Sequence, residues 1–134
     1  MVVDANILFS AILKPGLTRR VWFNTDIVLF SPKFLLTEFS KYKPYLIDKY
    51  IRSDAEFEQL AIKLLSRLKF IDDESLKPYL PAAESLVADE KDQFYLCLAL
   101  KMNAAIWSND KALKRQKRVK VYSTDEMATE FGLL

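Results

Sequence analysis

Met1-Val2-Val3-Asp4-Ala5-Asn6-Ile7-Leu8-Phe9 is the stretch from which the fold is read. Its first apolar run stops at an aspartate, so Val2–Asp4 reads as a short buried parallel strand whose carboxyl end delivers Asp4. The same kind of run recurs at Ile27–Phe30 (IVLF), Lys69–Ile71, Ala105–Trp107 (AIW) and Val119–Tyr122. Helical patterns fall between these runs. Leu17–Asn24 follows the break at Lys14-Pro15-Gly16. A helix over about Pro32–Tyr42 is capped by Ser31, opened by Pro32 and ended by Pro44. Asp54–Leu68 carries an apolar stripe behind Ser53 and the capping-box residue Glu56. Leu76–Leu86 is helical with proline interruptions, Gln93–Met102 is apolar on most sides, and Thr124-Asp125-Glu126 opens a last helix. Strands alternating with helices predict an α/β fold: one domain over residues 1–134, with a mainly parallel central sheet flanked by helices.

Composition narrows the chemistry. A chain of 134 residues that is 51% hydrophobic and 28% charged can bury a core without disulfides or a structural metal. The single cysteine, Cys97, lies in the apolar run Phe94–Leu100 and reads as core, which suits a reducing cytoplasm. No apolar stretch approaches the roughly 20 residues of a membrane span, and no signal-peptide pattern opens the chain, so a cytoplasmic protein without a membrane partner is expected. There is no histidine at all. That excludes Ser-His-Asp and Cys-His catalysis and imidazole-based zinc sites. Two glycines, Gly16 and Gly132, leave no material for a phosphate-cradling glycine loop. The remaining tools are carboxylates, lysines, hydroxyls and a hard cation held by oxygen.

Four carboxylates are placed to meet. Asp4 and Asp110 follow strands, and in open α/β sheets ligands bind beyond the carboxyl ends of the strands. Glu38 lies in the helix opened by Pro32, and Asp92 precedes the apolar helix Gln93–Met102. Right-handed crossovers bring helix N-termini to the same rim. The four are 34, 54 and 18 residues apart in sequence. Like charges held together repel, and a cation relieves them. All-oxygen ligation selects Mg²⁺ or Mn²⁺, the ions of metal-assisted phosphodiester hydrolysis. Each acid also has a structural reading. Asp4 could steady the next turn, Asp92 or Asp89 could cap the helix that follows, Asp110 could cap a short helix over Lys111–Lys114, and Glu38 could be a surface glutamate.

Taken together these segments resemble the PIN-domain nucleases, most closely small stand-alone prokaryotic members that include VapC-type toxins. The resemblance rests on Val-Val-Asp-Ala-Asn-Ile-Leu at the start, Phe30-Ser31-Pro32 with Leu35-Leu36-Thr37-Glu38, Asp92 before Phe94–Leu100, and Trp107-Ser108-Asn109-Asp110-Lys111. It covers essentially the whole chain. It implies Asp4, Glu38, Asp92 and Asp110 as catalytic ligands of Mg²⁺ or Mn²⁺, with Asn6 and Ser108 orienting them. It also implies single-stranded RNA as substrate, a homodimer as assembly, and an antitoxin protein as a partner. Asp92 is preferred to Asp89 as third acid because it directly precedes the apolar helix.

Net charge is only +2, so the distribution of cations matters more than their number. Lys111, Lys114, Arg115, Lys117, Arg118 and Lys120 form a run without acids, and Arg19 and Arg20 follow the first motif. All are candidates for contacting an RNA backbone, against the alternative of a solvated turn. Trp22, Phe23 and Tyr95 are candidates for stacking on bases or for core. Two other functions compete with a metal-dependent ribonuclease: a non-catalytic RNA- or protein-binding module of the same fold, and a phospho-acceptor domain. The last requires an acid ending a central strand near mid-chain, where residues 44–71 read mostly as helix.

Overall fold

The computed structural model describes residues 1–50 and 52–133. Strands β1 (Val2–Val3), β2 (Leu29–Pro32), β3 (Leu68–Ile71), β4 (Ile106–Trp107) and β5 (Val121–Tyr122) form one sheet in the order β3-β2-β1-β4-β5. Every pairing is parallel, with Val2 opposite both Phe30 and Ile106. Helices α1 (Ala5–Leu13), α2 (Leu17–Trp22), α3 (Phe34–Lys49) and α4 (Asp54–Ser66) make the connections from β1 to β2 and from β2 to β3. A 3₁₀ helix (Asp73–Tyr79), α5 (Leu80–Leu86) and α6 (Glu90–Met102) carry the chain from β3 back to β4, α7 (Lys111–Arg115) joins β4 to β5, and α8 (Thr124–Glu130) follows β5.

The order runs leftward from β1 to β3 and rightward from β1 to β5. Right-handed crossovers therefore place α1–α4 on one face and α6 on the other. The contacts agree: α1 packs on α2, α3 and α4, whereas α6 packs on β1, β2 and β4 with α5 and the 3₁₀ helix beside it. The direction reverses between β1 and β4, and such a switch point opens a crevice at the carboxyl ends of the two strands.

The α/β class and parallel sheet expected from the sequence are observed, with boundary differences that have local causes. Residues 5–13, given no element above, form α1, because Ile7, Leu8, Ala11 and Ile12 recur at helical spacing and are all buried. Strand β2 begins two residues later than expected. The Met1 ammonium takes the Val28 carbonyl and Arg67 the Ile27 carbonyl, while Pro32 pairs opposite Ile71 in the sheet. Pro32 thus ends a strand instead of opening a helix, and Ser31 is a buried strand residue instead of a cap. Pro44 does not stop α3, which runs on to Lys49. The carbonyl it leaves unbonded is that of Ser40, and both residues are exposed, so water can satisfy it. Burial of Leu46 holds the last turns against the core. Helix α4 closes at Ser66, and Leu68, expected at its end, starts β3. Its expected cap is present: the Ser53 hydroxyl accepts from the Glu56 N–H at 3.2 Å.

The core joins both halves of the chain. Trp22 and Trp107 are fully buried with ring centroids 5.8 Å apart, and the Trp22 indole donates to the Leu64 carbonyl at 2.9 Å. Both tryptophans are packing groups. Cys97 is buried, as expected. No helix among the described residues is long and apolar enough to cross a membrane.

Candidate active site

The predicted acids lie close enough to one another near the β1–β4 switch point for their charges to interact. Asp4 follows β1 as the N-cap residue of α1 and is only 4% exposed. Its Oδ2 accepts a 2.7 Å hydrogen bond from the Ser108 hydroxyl, which lies just past β4. The same hydroxyl oxygen accepts from the Asp110 backbone N–H at 3.0 Å. Ser108 therefore links the ends of two neighbouring strands that lie about a hundred residues apart in the chain. The Ala5 and Asn6 amides lie close enough to favour the Asp4 charge without forming a capping bond from its side chain. Asn6 itself is exposed.

Asp110 caps α7. Its Oδ1 accepts from the Ala112 and Leu113 amides at 2.7 and 3.2 Å. The capping role weighed from sequence is thus real, yet one carboxylate oxygen performs it, and the cap holds the side chain at the rim. Asn109 fixes the same loop from the other side: its Oδ1 accepts from the Thr124 N–H at 2.9 Å and its amide donates to the Thr124 hydroxyl at 3.1 Å.

Glu38 projects from α3 and accepts a 2.6 Å hydrogen bond from the Tyr95 hydroxyl on α6. Asp92 lies one turn before Tyr95 on the buried side of α6 and is 6% exposed. The choice between Asp89 and Asp92 is a question of position in the helix. Asp89 is the exposed N-cap, accepting from the Lys91 N–H at 3.0 Å, whereas Asp92 sits inside the first turn and faces the other acids.

Burial and mutual repulsion mark the cluster electrostatically. Asp92 is pushed up from 3.8 to about 7, first by burial and then by the charges of Asp110, Asp4, Asp89 and Glu38. Asp4 is raised by burial and by Asp110 against the opposing bond from Ser108. Glu38 is raised by burial and by Asp4, with the Tyr95 hydroxyl and Lys91 pulling the other way. The four acids therefore share one electrostatic environment. Among the described residues, however, no three acid or thiol groups converge closely enough to form a ready-made cation cage. Three of them are held by their own partners: Asp4 by Ser108, Glu38 by Tyr95 and Asp110 by the α7 amides. Mg²⁺ and Mn²⁺ suit such an arrangement, because they keep several waters and require only one or two direct carboxylates. The donor set, all hard oxygen, fits these ions.

The cations are less gathered than the sequence suggests. Arg19 donates to the Ala11 and Ile12 carbonyls, at the end of α1 opposite Asp4 and roughly 11 Å along the helix from it. Arg20 donates to the Leu133 carbonyl. Lys114 is committed to the Val121 carbonyl and to Glu126. The run 111–120 also divides in space. Lys111 stands beside Asp110 at the rim, and Arg115 lines a groove with Asp89. Arg118 and Lys120 line a different groove with Asn103 and Ala105, at the amino-terminal edge of the sheet. Lys117 is exposed in the turn between them. A helix and a turn reverse the chain inside the run, so sequence proximity does not make one patch. Phe23 is 40% exposed, whereas Tyr95 is buried and bonded to Glu38.

Tyr95, Asn109 and Thr124 are the positioning groups the sequence reading did not assign to this role. Tyr95 was legible in principle, since it follows Asp92 at the i, i+3 spacing that shares a helix face. Thr124 was not, because only the β4–β5 pairing brings it under Asn109. Two expected outcomes follow from these bonds. Ser108→Ala leaves Asp4 without its hydrogen bond and should lower activity about tenfold to a hundredfold, with Mn²⁺ affinity reduced in the same titration. Tyr95→Phe removes a bond that favours ionised Glu38, so the acidic limb of the activity–pH profile should move to higher pH. An unmoved limb would show that the tyrosine only packs.

No curated protein matches this chain in sequence. Among solved structures, the crystal structure of VapBC2 from Rickettsia felis bound to a DNA fragment from their promoter contains a chain similar to this one. The TM-score is 0.62 at 20% identity, covering 91% of this chain and 96% of that one, which is a likeness of fold. The sequence model of the PIN domain matches residues 2–132, nearly the whole length. The chain belongs to the PIN domain family.

Proposed function

We propose that this protein is a metal-dependent endoribonuclease that hydrolyses phosphodiester bonds of single-stranded RNA, with Asp4, Glu38, Asp92 and Asp110 as oxygen ligands of Mg²⁺ or Mn²⁺. The observation that carries the proposal is the nearness of acids from four separate elements, where burial and repulsion raise Asp4, Glu38 and Asp92 together. Such an arrangement is costly to a fold unless a cation relieves it. PIN domains are as a class nucleases, which agrees with this chemistry.

A divalent ion bound there supplies Lewis acidity to phosphate and water oxygens. The chain's own residues have distinct tasks. Ser108 fixes Asp4 and, through the Asp110 amide, sets the spacing between the two strand ends. Tyr95 aims Glu38 across from α6. Asp92, whose pKa burial and the neighbouring acids raise, would be one of the carboxylates holding the cation, and binding would then be coupled to loss of its proton. Lys111, beside Asp110, and Arg115, in a groove with Asp89, are both exposed, which supports a role in meeting phosphates that flank the bond to be cut. A homodimer, an antitoxin partner and a cytoplasmic setting belong to the same reading, and of these the antitoxin draws support from the likeness of fold to a chain in the VapBC2 structure.

The deciding experiment incubates defined single-stranded RNAs with the protein in the presence of Mn²⁺ or of a chelator. Cleavage that requires the ion supports the proposal, and no cleavage of any RNA defeats it. One rival is a non-catalytic module of the same fold, in which Asp4, Glu38 and Asp110 stay bonded to their protein partners. Calorimetric titration separates the two: absence of binding heat at millimolar Mn²⁺ supports the module.

A further inference from the structure

The rim continues past the acids along α1 and α3 as a shelf of two aromatic rings and two lysines. Phe9 is on α1, five residues after Asp4, and Tyr42 is on α3, one turn after Glu38 and on the same face. Their ring centroids are 5.4 Å apart at an interplanar angle of 55°. Lys41 Nζ lies 5.6 Å from the Tyr42 ring centroid and Lys91 Nζ 6.0 Å from it. Lys91 also donates to the Tyr42 hydroxyl at 3.4 Å. Both rings are half-buried, and both lysines are exposed. Lys91 directly precedes Asp92 and stands near enough to Glu38 for its charge to be felt there. Packing between α1 and α3 accounts for the contact of the rings. It does not account for Lys91, which comes from α6 to lie over the Tyr42 ring and donate to its hydroxyl while its charge is felt at Glu38; Lys41 is the chain neighbour of that ring.

We propose that this shelf seats the base of a nucleotide adjacent to the scissile phosphate, stacked on Tyr42 and backed by Phe9, while Lys41 and Lys91 turn from the ring to the flanking phosphates. The proposal rests on the ribonuclease reading above. An exposed ammonium held over a ring is weakly bound and can leave it when a base offers a larger apolar face and a phosphate offers charge. Tyr42 is one helical turn, roughly 6 Å, from Glu38 along α3, so a base can occupy the shelf while its phosphate lies at the acids. Stacking of this kind tolerates any base, so the shelf selects unpaired strands over duplexes without selecting sequence.

The test compares kcat/KM in Mn²⁺ for a short single-stranded RNA and for the same RNA made abasic on either side of the cleaved bond. Wild type is expected to lose about tenfold on removal of one of those two bases, mainly through KM. Tyr42→Ala should lose about as much on intact RNA and then be indifferent to the abasic change, whereas Tyr42→Trp should behave as wild type. Equal wild-type cleavage of both RNAs overturns the shelf and leaves the nuclease assignment standing. This comparison requires no variant, so it can overturn the shelf even if Tyr42→Ala folds poorly. A Tyr42→Ala defect that is undiminished on the abasic RNA makes Tyr42 structural and also overturns the proposal. Failure of wild type to cleave any RNA removes both readings together.

Discussion

Asp4→Asn should lower RNA cleavage by at least about a hundredfold, more than the loss expected from Ser108→Ala, because it removes a ligand charge instead of the group that orients it. Asparagine keeps the shape of the side chain and an oxygen able to accept the Ser108 hydroxyl, so the link between the ends of β1 and β4 can persist. It also removes a buried carboxylate whose ionisation burial and Asp110 disfavour. The metal-free variant should therefore melt no lower than wild type, while its Mn²⁺ titration weakens. Undiminished cleavage by a folded Asp4→Asn protein would remove Asp4 from the chemistry and with it the centre of the proposed site.

Asp92→Asn should separate stability from activity even more sharply. In the folded protein Asp92 keeps its proton up to about pH 7, whereas the ordinary value is 3.8. Between those limits the folded state binds more protons than the unfolded one, so stability falls as pH rises through the interval. Asp4 and Glu38, also raised, contribute in the same direction. Glu126 has the opposite sign but acts lower, because the Lys114 contact brings it down to about 2. The metal-free wild type should thus lose melting temperature between about pH 4 and pH 7, and added Mn²⁺ should restore it by binding only the folded form. Asp92→Asn should flatten that decline and melt higher than wild type at pH 8, with cleavage lost. Thermal melts across this pH range, with and without Mn²⁺, provide the measurement. A variant less stable than wild type at pH 8 would show that Asp92 supports the fold and is not a strained site residue.

Most of the architecture was legible because local patterns determine it. The apolar runs that become β1, β3 and β4 stop where polar residues begin, and Ser53 with Glu56 announces α4. The errors came where distant groups took over a local signal. Pro32 has the dihedral preference of a helix start, but its place opposite Ile71 makes it the end of a strand. Pro44 carries a helix-stopping signal, but exposure of the Ser40 carbonyl and burial of Leu46 let α3 continue. For the basic run 111–120, weighed from sequence as RNA contacts or a solvated turn, spacing could not show the reversal after α7 that sends Arg118 and Lys120 to the opposite edge of the sheet.

For the site, the sequence by itself determined the donor chemistry. Without histidine, with one buried cysteine and with acids following β1 and β4, only hard-oxygen ligation remained. What it could not determine was which acids face one another, because that depends on strand order, and strand order follows from which sheet faces α1–α4 and α6 cover. Tertiary structure made the β1–β4 switch point, set Ser108 between Asp4 and Asp110, turned Asp89 outward as a cap and buried Asp92. Residue types fix what a group can bind, but burial and neighbouring charge, which fix how strongly it seeks a partner, exist only once the chain has folded.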